Sequence, residues 1–246
     1  MRLFIIGLVA YLLFLPAMTP AAHLINWLGL ADAGLSVGSV GGTAWAGHAR
    51  TLRYERLELD KVRWRFQPQG LLLARLEYRV KFFATDSNGT SRAGRSLRRD
   101  FYIRDLRAKL SAVDINPLMP PATVQLGGTF HLDLPTVAYK NGLVDVEGAV
   151  IWQDAIIVDP VSVSLGSLQL LLKSGENGIT GTLTDIDEQG PLDLQGDLSL
   201  HPDHSYQLSG TLKPRAALPA QVRRVLPFLG LPDAEGRYRI EFSGVL

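Results

Sequence analysis

The sequence predicts a mainly β protein: one N-terminal transmembrane helix, then a curved, largely antiparallel β-sheet body with one short amphipathic helix near its C-terminus. Three observations predict it. Apolar and polar residues alternate with period two in seven separate stretches, the pattern of strands with one wet face. Glycine occurs 24 times and proline 14 times, enough to punctuate many short strands with turns. The one long uncharged stretch of the 246 residues stands at the N-terminus, where no Asp, Glu, Lys or Arg follows Arg2 until Asp32.

From Leu3 to Leu15 the chain is wholly apolar. That run alone matches the roughly 7–15-residue core of a secretory leader; extended through Pro16, Met18 and Pro20 to Ala22, it reaches the length of about 20 residues that a bilayer-spanning helix needs. Pro16 is tolerable near one end of such a helix. Thr19-Pro20-Ala21-Ala22 is a mediocre small-residue cleavage site, so the residues leave both readings open. In either, Arg2 marks the cytoplasmic side and the remainder is exported. In the anchor reading the organisation is a cytoplasmic tip at 1–2, an anchor at 3–22 and a single body at 23–246. Trp27 then takes an interfacial position at the outer leaflet, where an amphipathic ring is favoured.

Within the body the strands follow in order. Val40-Gly41-Gly42-Thr43-Ala44-Trp45-Ala46-Gly47 reads as a strand and a turn, its glycines permitting a bend and Trp45 packing beneath the sheet. Alternation then runs through Val62-Arg63-Trp64-Arg65-Phe66, from Leu76 to Phe82, from Leu106 to Leu110, from Phe130 to Leu134, from Leu192 to Leu200, from Tyr206 to Ser209 and from Tyr238 to Phe242. Pro68 to Ala74 and Ala112 to Pro121 each suit a helical turn. The polar, glycine-containing stretch from Ala84 to Leu97 reads as a long exposed hairpin loop. Glycines at 128, 148, 181, 196 and 210 sit at strand starts or inside alternating runs, where they permit bulges or bends. Leu218, Val222, Val225 and Leu229 form one helical stripe, stopped by Gly230-Leu231-Pro232 and distorted by Pro227. This helix, with the curvature of the sheet, is expected to close the apolar face.

Chemistry has little foothold. There is no cysteine, which removes disulfides, thiolate metal sites and cysteine nucleophiles. A formal net charge of +1 gives no overall pull toward nucleic acid. His201-Pro202-Asp203-His204 resembles a metal cluster only in composition and reads as a turn between strands. No G-x-S-x-G elbow is present, and Gly38-Ser39-Val40-Gly41-Gly42 lacks the lysine of a phosphate loop. We therefore expect no catalytic, metal or cofactor-binding residue. The basic residues Arg92, Arg95, Arg98 and Arg99, continued by Arg104, Arg107 and Lys109, face only Asp100 and Asp105 in the same stretch. They suit anionic lipid head groups or an acidic partner surface; a solvated loop and strand face is the plain alternative. With only Phe101 and Tyr102 interleaved, they do not suggest a nucleic-acid platform.

In order and spacing these motifs resemble the protein N family of the type II secretion system, also called general secretion pathway protein N. The resemblance lies in the short apolar N-terminus; in Val40, Gly42, Thr43, Trp45 and Gly47 with Gly41 between; in Trp64 and Pro68 followed by Leu71-Leu72; in Gly148-Ala149-Val150-Ile151-Trp152; and in a closing segment that holds Gly236, Tyr238 and Gly244. It covers nearly the whole chain. The basic segment around Arg92 to Arg99 is a departure, longer than that family's pattern. The resemblance implies an uncleaved inner-membrane anchor and a β-rich periplasmic body in a Gram-negative cell. It further implies a structural, non-enzymatic part of a machine that moves folded proteins across the outer membrane, with the secretin or inner-membrane platform subunits as partners. Membrane lipid would meet the protein through the anchor. An alternative class fits the same one-sided alternation: β-groove proteins of the AsmA type, whose open apolar face carries lipid.

Overall fold

The computed structural model describes residues 20–21, 35–54, 57–96, 100–118, 125–140, 143–159, 162–175, 178–188, 190–203, 205–215, 218, 223, 226 and 230–245. They form one 14-stranded sheet. Its strands are β1 (Leu35–Gly42), β2 (Ala46–Tyr54), β3 (Leu57–Leu59), β4 (Lys61–Phe66), β5 (Arg75–Phe83), β6 (Asn88–Ser96), β7 (Phe101–Ser111), β8 (Gln125–Lys140), β9 (Leu143–Asp159), β10 (Val163–Gly175), β11 (Gly178–Asp185), β12 (Leu192–Leu200), β13 (Ser205–Pro214) and β14 (Tyr238–Val245). Each strand pairs antiparallel with its neighbour in sequence, except that β3 and β4 share β2 as partner. Among the described residues β1 and β14 each pair on one side only.

This meander puts the β1–β2, β4–β5, β6–β7, β8–β9, β10–β11 and β12–β13 connections at one end of the strands and the others at the opposite end. We term them the near and far ends. Pro20 forms an isolated antiparallel bridge with Thr43, so the N-terminal segment meets the sheet at the near end, and Ala21 beside it is buried. The expected anchor otherwise lies outside the described residues; among these, no helix is long and apolar enough to cross a membrane.

Every alternating stretch of the sequence lies in a strand. The expected helical turns are a 3-10 helix at Pro68–Leu73 and a single α-turn at Ala112–Ile115, continued as 3-10 over Asn116–Leu118. The expected loop from Ala84 to Leu97 is corrected: Asn88 to Ser96 is strand β6, paired with β5 along its whole length and with β7 across one bulge. Its residues have poor strand propensity, but two strongly alternating neighbours impose the ladder, which is the usual way tertiary context overrides propensity. The glycines divide in the same manner. Gly128 and Gly148 have positive φ beside register shifts between β8 and β9, as bulge positions require. Gly181, Gly196 and Gly210 lie in unshifted ladders, Gly196 directly opposite Gly210.

One face of the sheet is predominantly apolar. The register carries it from Tyr139 to Val144, from Phe130 to Trp152, from Trp152 to Leu168 and from Leu194 to Leu212. At the far end of β9–β13 this face is covered: Ala155, Val163, Leu165, Leu168, Leu192 and Leu212 form a core with Leu226, against which Leu218, Tyr238 and Ile240 pack. Most of the expected helix from Leu218 to Leu229 lies outside the described residues. Leu218 packs as its stripe predicts; among the described residues of this stretch the buried one is Leu226, which the stripe leaves out.

Candidate functional site

The same apolar face is open between β1 and β9. Val37, Leu52, Val62, Trp64, Tyr78, Val80, Ile103, Val137 and Tyr139 line one cavity of about 600 Å³, within the range of roughly 300–1,000 Å³ that ligand sites occupy. On a flat sheet β1 and β8, six strand spacings apart, would stand about 29 Å from each other. Both line this cavity, so the sheet is concave here, as the sequence predicts. Among the described residues, the closure expected from helix and curvature is seen only over the strands that follow β8. The cover is drawn from the chain between β13 and β14, and its described part meets only the second half of the sheet.

The near end of the cavity is aromatic. Trp45 meets Phe66 edge-on at 4.2 Å between centroids, and Phe66 meets Tyr78 at 5.4 Å. Burial pushes the Tyr78 phenol pKa up. Arg95 is the charged member of the lining, its guanidinium 4.7 Å from the centre of the Phe101 ring. Such a stack holds a cation over an apolar surface while its head group faces water.

The motif residues take definite places. Thr43 N–H donates to the Ala46 carbonyl at 2.9 Å and closes the β1–β2 hairpin, with Gly42 at φ +87° opposite Gly47; Gly41 stands opposite His48. The Trp64 indole lies across Gly47, where a Cβ would collide with the ring, and donates to the Thr43 carbonyl at 3.3 Å. Trp45 is half-buried in the hairpin connection, its ring packed on the buried Phe66, with its indole N–H buried and without an acceptor. Pro68 opens the 3-10 helix at a position where its missing N–H costs nothing. Trp152 stacks on Phe130 at 5.1 Å and donates to the Gly127 carbonyl at 2.8 Å. Gly236 takes φ +77° in a turn held by Asp233, directly before Tyr238 begins β14. Gly244 lies under the Tyr206 ring.

Gly47 with Trp64 and Gly244 with Tyr206 are two cases of a pattern that sequence reasoning missed. Gly89 with Phe82 and Gly94 with Tyr102 are the others, each a glycine directly opposite an aromatic residue whose ring covers it. No sequence signal could pair them before the register was known.

The four arginines do not form one patch. Arg92 and Arg95 are three residues apart on β6 and point to opposite faces. On the polar face Arg92 contacts Asp105, its Nε donating at 2.7 Å, and lies 4.0 Å from Glu77. Hydrogen bonding to Asp105 pushes the Arg92 pKa up. Glu77 also accepts from the Tyr102 hydroxyl at 3.2 Å, and Arg75 and Arg104 stack on the Tyr102 ring. The Tyr102 phenol pKa is raised by burial, then by the Glu77 charge. Arg98 and Arg99 lie outside the described residues. The register also gathers Lys81, Arg107, Lys109 and His131 around a second, shallower hollow of about 470 Å³. His201 to Asp203 forms the expected turn; the Ser205 hydroxyl donates to Asp203 at 2.6 Å and lowers its carboxyl pKa. Among the described residues, no three His, Asp or Glu side chains gather as a metal site.

Residues 33–241 match the family model described as type II secretion system (T2SS), protein N. The type II secretion system protein N of Aeromonas hydrophila is 30% identical, covering 96% of this chain and 95% of its own. That of Vibrio cholerae is 27% identical over 87% of this chain and 86% of its own, and that of Klebsiella pneumoniae 29% identical over 82% and 80%. No solved structure matches the chain. With the glycine–tryptophan hairpin, the Trp64–Pro68 strand end and the closing Gly236–Gly244 segment all inside the matched residues or at their border, this chain belongs to the type II secretion system protein N family.

Proposed function

We propose that the protein is a structural, non-catalytic component of the type II secretion machinery, held in the inner membrane by residues 3–22, with its sheet in the periplasm. There it couples other subunits, the secretin or the inner-membrane platform. Family membership carries the reading, and the edge of β1 supports it. Its sequence, Leu35-Ser36-Val37-Gly38-Ser39-Val40-Gly41-Gly42, holds no charge and no proline, the devices that normally protect an edge strand from pairing. Such an edge accepts a partner's strand through main-chain hydrogen bonds. A photo-crosslinker at Ser36 in secreting cells is expected to trap a second secretion subunit. Capture of none, with crosslinks formed from other positions, would remove β1 as the coupling edge. A protein whose mature N-terminus began at Ala22 or His23 would remove the anchor.

A second reading is favoured by the open cavity: the concave face binds or conveys lipid, as in β-groove proteins of the AsmA type. Mass spectrometry of gently purified protein separates the two, since stoichiometric phospholipid favours the second.

A further inference from the structure

The near end of the first half of the sheet exposes apolar side chains. The β4–β5 connection turns through the 3-10 helix Pro68–Leu73, closed by Ala74 at φ 54°, and holds no charged residue between Gln67 and Ala74. The turn leaves Leu71, Leu72 and Leu73 exposed by 43%, 88% and 68%. Three consecutive exposed leucines invite association unless something apolar receives them. Phe101 and Tyr139, opposite each other on β7 and β8 at the same end, are both more than half exposed. Cations accompany them: Arg75 directly follows the turn, and Arg95 stacks on Phe101.

The path of the chain names the occupant. Pro20, bridged to Thr43 at this same end, belongs to the uncharged stretch that begins at Leu3. A membrane crossed by that stretch lies against the near end and not the far one. We infer that the near end of the first half of the sheet docks on a bilayer of anionic phospholipid. Leu71, Leu72 and Leu73 enter the interface, about 5–10 Å into the boundary of head groups and acyl chains, and Arg75 and Arg95 meet the phosphates. The inference rests on the anchor reading above and adds to it a second contact, made by the body itself. It also brings the aromatic mouth of the cavity to the membrane surface.

The absence of cysteine makes the test clean. The full-length chain, carrying one cysteine labelled with an environment-sensitive fluorophore, is reconstituted into vesicles of phosphatidylethanolamine and phosphatidylglycerol. One variant is Leu72→Cys; the other is Asp86→Cys, an exposed position in the β5–β6 connection at the far end. Both sites are exposed, and unchanged melting curves verify that both variants fold. Emission from position 72 is expected to shift to the blue and to be quenched several-fold more than position 86 by spin-labelled lipid. Replacing phosphatidylglycerol with phosphatidylcholine, or Arg75 and Arg95 with glutamine, is expected to weaken that quenching. Flotation with the vesicles reads the anchor separately. A chain that floats while position 72 stays as wet and unquenched as position 86 overturns docking alone. A chain that does not float overturns the anchor and the docking with it, and quenching unaffected by lipid charge and by both arginine substitutions overturns the role given to Arg75 and Arg95.

Discussion

At the far end of β9–β13 the apolar side chains of the sheet are covered, with Leu168, Leu192 and Leu212 packed beneath Leu226 and Leu218. Between β1 and β9 the same face, with the same alternation, surrounds a cavity of about 600 Å³ and leaves Leu76, Phe101 and Tyr139 about half exposed. An antiparallel sheet has one face to bury, and alternation alone does not bury it; some other segment must lie across it. The chain supplies such a segment between β13 and β14, over the second half. Among the described residues no segment lies across the apolar face of the first half or along the uncharged β1 edge, which makes that half the one suited to contact and the second half the one suited to stability.

The largest effects should fall in the closed half. Asp185, whose side chain is 2% exposed, stands with Oδ2 2.7 Å from Nη1 of Arg215. The contact is out of line for a hydrogen bond, because Nη1 donates to the carbonyls of Gly190 at 2.9 Å and Leu192 at 3.3 Å. Arg215→Met leaves that carboxylate buried without its cation and two carbonyls without a donor. A loss of about 3–5 kcal/mol is expected from denaturant melts. Next comes Leu168→Ala, at a side chain 4% exposed, expected to cost about 2–5 kcal/mol. Leu76→Ala in the open half should cost less than about 1 kcal/mol, since Leu76 has little burial to lose. Equal costs for Leu168 and Leu76 would mean that the open face is covered in solution.

Trp45 sharpens the comparison at a smaller scale. Its ring is half-buried against Phe66, so Trp45→Ala should cost about 1–3 kcal/mol, below the 3–5 of a fully packed core aromatic. Trp45→Phe keeps the ring contact and removes a buried N–H that has no acceptor, and should be neutral or stabilising by about 1 kcal/mol. A large loss from Trp45→Phe would show that the N–H has an acceptor when the protein is folded in solution.

Much of this fold was legible. The strands with strict alternation, the Pro68 turn and the Gly128 and Gly148 bulges follow from local pattern, which is decided by a few neighbouring residues. Strand β6 was not legible, because a sequence such as Asn-Gly-Thr-Ser-Arg-Ala-Gly-Arg-Ser becomes a strand only between β5 and β7. Strand β10 is equally hard to read from sequence: Leu170-Leu171-Leu172 breaks the alternation, with Leu171 44% exposed on the opposite face. The division into an open and a closed half could not be read, since the alternating pattern is the same in both and only the placement of Leu218 and Leu226 separates them. For the candidate surface, the basic residues were found but not their faces. Arg92 and Arg95 look like one cluster in sequence, and the two-residue period of the strand parts them.

Native-state hydrogen exchange on the full-length chain in phospholipid nanodiscs tests the division most directly. The account predicts that amides of β10–β13 exchange only through global unfolding, while those of β4–β7 exchange through a smaller opening of lower free energy. Protection in β4–β7 equal to that in β10–β13 at every denaturant concentration would contradict it.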